Sequence, residues 1–115
     1  MSEQIMAPVA RVIHANTFFS RLKGLLGTRR LPADTGLLLE PCNSIHTWGM
    51  KYAIDALFLD EDNRVLQVAA ALPPNTWGQK VSGACRVLEM AAGQAAAQGI
   101  MPGHVIDLNL RNEGL

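Results

Sequence analysis

Residues 53–72 read AIDALFLDEDNRVLQVAAAL, and this stretch decides the fold class. It contains two apolar runs, at residues 53–60 and 64–72, on either side of a polar turn at 60–63. Apolar runs joined by a short series of Asp and Asn residues are typical of a β-hairpin. The sequence therefore predicts an antiparallel strand pair in the middle of the chain.

Short strands are also predicted along most of the remaining chain. Apolar runs bounded by Pro or Gly indicate strands at residues 8–14, 36–40, 86–90 and 104–110. Residues 17–27 are an exception, because their apolar positions follow a helical period between an N-cap threonine and a terminal glycine. A single helical turn is predicted at 94–98. We therefore predict a mainly β fold, a compact β-sandwich or jelly-roll-like barrel with one or two short helices. A βαβ layout is not favoured, since only one helix is long enough for a crossover.

Length and composition predict a single domain spanning residues 1–115. With 49% hydrophobic and 17% charged residues, the chain can form a core, which excludes wholesale disorder. No apolar run approaches the ~20 residues of a membrane span, and the first residues lack the apolar core of a secretory signal. Two cysteines, Cys42 and Cys85, are too few for a disulfide framework, so we expect reduced thiols and a cytoplasmic location.

The charges balance over the whole chain but not along it. Ten Lys and Arg offset ten Asp and Glu, and this neutrality argues against a dedicated nucleic-acid binder. Residues 1–35 carry a net charge of +3, and residues 36–65 carry −3. We expect these two parts to attract each other within the fold; an anion patch at Arg29 and Arg30 is the alternative.

Residues 41–50 read PCNSIHTWGM and hold the densest group of reactive side chains. Cys42, His46 and Met50 are spaced by four, which predicts that they lie on one side of the segment. In an extended strand Cys42 and His46 would be ~13 Å apart, whereas one helical turn would bring their Cβ atoms to ~6 Å. A joint function of Cys42 and His46 therefore requires a coiled segment.

Three functions are compatible with these side chains. His46 could activate Cys42 as a nucleophile, or Cys42, His46 and Met50 could bind copper(I). Alternatively, His46 and Trp48 could line a pocket for a small molecule. The structural alternative is that Cys42 and Met50 fill the core and Trp48 anchors the segment. No metal-ligand spacing supports a metal site, and we assign neither a metal nor a cofactor.

Two acidic residues are predicted to lie inside the protein. Both faces of the strand around Asp55 are apolar, and a buried carboxylate needs a cation, N–H donors or a proton. The candidate cations are His46, Lys51 and an arginine of the basic first third. A structural role for Asp55, tying a loop to the strand, is favoured. Glu89 also stands between two apolar residues and raises the same question.

Residues 42–60, CNSIHTWGMKYAIDALFLD, resemble the hallmark motif of the domain of unknown function 192 family. RLKGLLG at 21–27 and VLEMAAG at 87–93 resemble its early helix motif and its closing segment. This sequence departs from the pattern at Trp48-Gly49, where two aromatic residues are common, and at Met90-Ala91, where Leu-Pro is usual. The resemblance implies a small, mainly β, jelly-roll-like prokaryotic domain with no established activity.

The family motif implies a set of candidate site residues without giving them roles. With Trp48 added, the candidate pocket residues are Cys42, Ser44, His46, Trp48, Met50, Asp55 and Glu89. We expect a β-rich module that binds a small molecule or peptide in a pocket lined by the Cys42–Asp55 segment. The alternatives are a thiol-dependent enzyme using Cys42 with His46, and an interaction module without a pocket, which would expose an apolar patch.

Overall fold

The structure is a computed structural model and describes residues 4–14, 31–47, 50–76 and 78–108. Within these residues the elements are β1 (Ile5–Met6), β2 (Arg11–His14), β3 (Thr35–Leu39), β4 (Ile54–Leu59), β5 (Val65–Leu72), β6 (Arg86–Ala91), α1 (Gln94–Ala97) and β7 (Val105–Ile106). The mainly β prediction is confirmed. The predicted helix at 17–27, with the basic residues that follow it, lies outside the described residues.

Five strands form the main sheet in the order β2-β3-β6-β4-β5, and β1 pairs with β7 in a second, two-stranded sheet. The predicted hairpin is confirmed, because β4 and β5 are antiparallel and adjacent. β2 and β3 are parallel, with Arg11 opposite Thr35, whereas the other strand pairs of the main sheet are antiparallel. The residues between β2 and β3, at 15–30, lie outside the described part of the chain.

The main sheet is not closed into a barrel. In the part of the chain that the structure describes, β2 and β5 form its two edges, and no ladder joins them. These strands also lack the two four-stranded sheets that define a jelly roll. The barrel prediction is therefore wrong, whereas a mainly β fold with a second small sheet and one short helix is what the described residues form.

Both faces of the main sheet are covered, which explains why every residue of β4 is buried. One side, here called the loop face, carries Leu37, Phe58 and Val87. It is covered by Cys42, Ile45, Met50 and Tyr52, and the stretch of chain that they belong to is here called the covering segment. The opposite side, here called the helix face, carries Leu38, Leu57, Leu88 and Met90 and packs against α1 and β7. Strands buried on both faces have continuous apolar runs in their sequence rather than alternating apolar and polar residues.

A β-bulge interrupts the hairpin near the end of β5. Ile54 pairs with Leu72 and Ala56 with Ala69, so two residues of β5 face Asp55 alone. Ala71 is one of them, and it has a left-handed φ of 51°. Its N–H donates to Asp55 Oδ1 at 2.7 Å. The bulge thus turns a backbone donor toward a buried carboxylate, at the cost of a strained alanine.

Replacing Ala71 with glycine should stabilise the protein by about 1 kcal/mol, because the relieved left-handed strain exceeds the added chain entropy. Urea unfolding of the purified chain measures this difference. Ala70→Gly is the matched control, since Ala70 is the exposed neighbour in the same strand and has no positive φ. The control should be destabilised by about 0.5–1 kcal/mol. Equal effects of the two changes would contradict the assignment of strain to Ala71.

Candidate functional site

The segment that covers the loop face begins as an extended chain. The Cys42 N–H donates to the Cys85 carbonyl at 3.0 Å, and the Val81 N–H donates to the Asn43 carbonyl at 2.9 Å. Ser44 then forms an isolated antiparallel bridge with Lys80. Residues 42–47 contain no helical turn, so Cys42 and His46 are not stacked one turn apart.

Thr47 fixes the middle of the segment and is completely buried. Its hydroxyl donates to the Pro73 carbonyl at 2.6 Å and accepts the Thr76 N–H at 2.8 Å. Its backbone N–H also donates to the Thr76 carbonyl, and its carbonyl accepts the Asn75 N–H. Thr47 therefore anchors the turn that follows β5 to the segment. No local sequence pattern marks this residue, because its partners are 26 and 29 residues away in the chain.

Gly78 allows a second loop to cross directly over the segment. A Cβ atom on Gly78 would overlap the Ile45 carbonyl oxygen and would lie 3.0 Å from the His46 nitrogen. No side chain fits at this position, so the crossing requires glycine. The closeness of two backbones holds Ile45 and His46 in place. A lone glycine after Trp77 is the only sequence signal of this contact.

The predicted site residues lie in different environments. Cys42 is half-buried and packs against the core of the loop face, and Met50 belongs to that core with 7% exposure. Ser44 and His46 are exposed, and Trp48 lies outside the described residues. Cys42 and Met50 contact the same core whereas His46 is exposed, so the described residues do not place these three side chains together.

The same separation affects the copper(I) alternative. Met50 is a buried core residue, whereas His46 is exposed. In the described ranges no group of three or more His, Cys, Asp or Glu side chains is placed to hold a metal ion.

Asp55 lies on the helix face and ties three elements together. It is fully buried, and its two oxygens accept backbone N–H groups from Ala71 at 2.7 Å and Ala95 at 2.8 Å. The N-cap residue of α1, Gly93, provides no side-chain bond, so Asp55 of β4 satisfies a donor at this helix end instead. The predicted burial and structural role are confirmed. Within the described residues its donors are backbone N–H groups rather than His46 or Lys51, and the sheet separates it from the loop face.

Glu89 is the buried carboxyl group of the loop face. It has 1% exposure and lies in β6 opposite Leu37 and Ala56, two residues of that face. Tyr52, at the end of the covering segment, packs against the same core. Burial, and then the negative charge of Glu89, raise the pKa of Tyr52. The phenol and the carboxyl group therefore lie within electrostatic range under the covering segment.

Tyr52 is the only tyrosine in the chain, so its ionisation can be followed directly by the ultraviolet absorbance of tyrosinate. We expect it to titrate above its ordinary pKa of 10.0. Because the folded state holds the phenolic proton more tightly, this contribution to stability is present below pH 10 and is lost as the pH rises through the folded pKa. Glu89→Gln should lower the pKa of Tyr52, whereas Glu61→Gln, in the exposed turn, should leave it unchanged. A Tyr52 pKa unaffected by Glu89→Gln would contradict the proximity of the two groups.

Comparison with known proteins places this fold and segment in a family. The model for domain of unknown function 192, described as an uncharacterized ACR, matches residues 2–108. The chain belongs to the domain of unknown function 192 family. No curated protein matches the chain. The match spans both the covering segment and the two buried acidic residues.

Two solved structures are similar to this member of the domain of unknown function 192 family. A protein of unknown function from Novosphingobium aromaticivorans DSM 12444 is 28% identical, with a TM-score of 0.67 over 78% of this chain and 69% of its own. A transcription-regulator candidate from Sinorhizobium meliloti 1021 is 23% identical, with a TM-score of 0.66 over 80% of this chain and 76% of its own. The second likeness shows the fold alone. Within the described residues, no helix is both long and apolar enough to span a membrane.

Proposed function

We propose that this chain binds a small molecule or peptide on the surface formed by residues 43–47 and Lys51 over the loop face. The observation that carries the proposal is that four polar side chains are exposed here, while the backbone and the buried Thr47 are fixed from below. Asn43, Ser44, His46 and Lys51 are exposed in this segment. Binding residues are often found on loops that a rigid scaffold holds in place.

The backbone contacts of the segment support a surface that is ordered before binding. Thr47 is bonded to the turn at residues 73–76 by four hydrogen bonds of 3.0 Å or less. Gly78 places a second backbone directly against Ile45 and His46. A surface held in this way loses little conformational entropy when a ligand binds, so more of the contact energy contributes to affinity.

The chemistry of the surface suits a ligand that has both donors and acceptors. His46 offers an imidazole, Ser44 a hydroxyl group and Asn43 an amide, and each can donate as well as accept. Below them, Glu89 supplies a carboxyl group to a face that otherwise carries mostly hydrophobic side chains. Asp55 is not part of the proposed surface, because it is fully buried on the helix face.

The alternatives have less support from the described residues. The thiol-enzyme reading needed a coiled segment, and residues 42–47 contain no helical turn. The interaction-module reading needed an apolar patch; within the described ranges the large exposed apolar residues are only Ile5 and Met101. Nucleic-acid binding is disfavoured by a net charge of zero. We therefore retain ligand binding as the proposal.

Amide chemical shifts of the ¹⁵N-labelled chain test this proposal. A library of small-molecule fragments and a library of tripeptides are added separately, and we expect hits that shift the amides of residues 43–47 and Lys51. His46→Ala should weaken the strongest hit about tenfold, which corresponds to ~1.4 kcal/mol. Glu61→Ala, in the exposed hairpin turn, is the control and should bind like the parent. Shifts confined to the helix face, or no hit in either library, would overturn the proposal.

A further inference from the structure

The structure brings together two cysteines that are far apart in the chain. The Cys42 N–H donates to the Cys85 carbonyl at 3.0 Å. The bond lengths and angles along this single hydrogen bond keep the two Cα atoms within roughly 6.5 Å of each other. Disulfides join cysteines whose Cα atoms are ~4.4–6.8 Å apart. Neither cysteine is in a disulfide, and both are half-buried.

The backbone of this pair is fixed on both sides. The Cys85 N–H donates to the Leu59 carbonyl at the end of β4, at 2.9 Å. Cys42 packs against the core of the loop face, and its neighbour Asn43 is bonded to Val81. The backbones of the two cysteines are thus held as neighbours by the folded chain. The Cys42 thiol donates to the Ser44 carbonyl at 2.8 Å, and its rotation away from that carbonyl would give the two thiols a high effective concentration.

We propose that Cys42 and Cys85 form a dithiol site that exchanges with low-molecular-weight disulfides of the glutathione disulfide class. One protein thiolate attacks a sulfur of the small disulfide, forms a mixed disulfide and releases one small thiolate. The second protein thiolate then attacks the protein sulfur of the mixed disulfide and releases the other small thiolate. The protein loses two protons and two electrons, and the small disulfide is reduced to two thiols.

This site differs from the ligand surface and does not depend on it. Oxidation would join the start of the covering segment covalently to the residue that precedes β6. The oxidised chain should therefore be more resistant to unfolding, because the bridge closes a long loop that contains β4 and β5. The fraction of chains with a bridged Cys42–Cys85 pair would therefore depend on the ratio of oxidised to reduced small thiols in the surroundings.

Equilibration of the full chain with mixtures of reduced and oxidised glutathione tests the site. After an acid quench and alkylation of free thiols, mass spectrometry should show an intramolecular bridge between the peptides that contain Cys42 and Cys85. In urea the effective concentration of the two thiols should fall roughly hundredfold, because unfolding removes the native proximity. Thermal unfolding of the oxidised chain should occur several degrees higher.

The single variants Cys42→Ser and Cys85→Ser provide the controls. Each should stop at a mixed disulfide with one glutathione, while circular dichroism verifies that the variant is folded. The proposal is overturned if the folded parent chain collects glutathione adducts without bridging, bridges only between chains, or stays reduced throughout. It is also overturned if the bridge forms equally well in urea.

Discussion

Replacing Gly78 with alanine should destabilise the protein by about 4 kcal/mol, a large part of the stability of an ordinary domain. The new Cβ atom would overlap the Ile45 carbonyl oxygen. That oxygen belongs to the backbone, so no side-chain rotation relieves the overlap, and the two crossing loops must separate. Their separation breaks the hydrogen bonds between Thr47 and residues 73–76. Urea unfolding followed by circular dichroism measures the loss.

Gly99→Ala separates this steric effect from the general cost of replacing a glycine. Gly99 has a left-handed φ of 66°, and a Cβ atom there would meet nothing within 4 Å. Its replacement should cost only about 1 kcal/mol, the strain of an alanine in the left-handed region. If Gly78→Ala were no worse than Gly99→Ala, the close crossing of the two loops would be disproved. Amide shifts of residues 43–47 should also change in Gly78→Ala and stay constant in Gly99→Ala.

Asp55→Ala is the second change with a large expected effect, again about 4 kcal/mol. It removes the acceptor of two backbone N–H groups, those of Ala71 and Ala95. Each buried donor left without an acceptor costs roughly 1–3 kcal/mol, and the truncation leaves a cavity in a fully buried position. Hydrogen exchange offers a local readout, since the amides of Ala71 and Ala95 should lose protection before the rest of the sheet.

Two further variants bracket this result. Asp62→Ala changes an exposed aspartate of the hairpin turn and should stay within ~0.5 kcal/mol of the parent. Asp55→Asn keeps one acceptor oxygen and sets an NH₂ group against the other donor, so an intermediate loss is expected. A loss below ~1 kcal/mol for Asp55→Ala would mean that other groups replace the carboxylate at the bulge and at the start of α1.

The sequence was informative where structure is determined locally. The hairpin of β4 and β5 was predicted because its turn and its two strands are contiguous in the sequence. β3, β6 and α1 were predicted from short apolar runs and from the Gly and Pro residues near their ends. The position of β6 between β3 and β4 depends on pairing across long stretches of chain. The parallel pairing of β2 and β3 is equally non-local. Hydrophobic periodicity predicts neither of these two pairings, because it indicates which face of a strand is buried and not which strands lie beside it.

The candidate site was predicted in part, for a similar reason. The burial of Asp55 and Glu89 followed from their apolar neighbours in the sequence. Their apolar neighbours did not predict that the two carboxyl groups lie on opposite faces of the sheet. That arrangement depends on the register between two adjacent strands, which places Asp55 opposite Met90. Thr47, Gly78 and Cys85 were not singled out as site residues, since each acts through a partner that is distant in the chain. The spacing of Cys42, His46 and Met50 did not predict that His46 is exposed while Met50 is buried, because spacing predicts a shared side only for a regular backbone.

The five-stranded sheet separates two buried acidic groups that are only one register position apart. On one side of the sheet, Asp55 accepts the hydrogen bonds that hold the β-bulge and the start of α1. On the other side, Glu89 lies beneath the exposed polar segment. Evolution or protein engineering can therefore vary the polar residues of the segment while the opposite half keeps the chain folded. Diversifying Asn43, Ser44, His46 and Lys51 should yield a large fraction of folded variants. This small domain is thus a promising scaffold for new binding specificities.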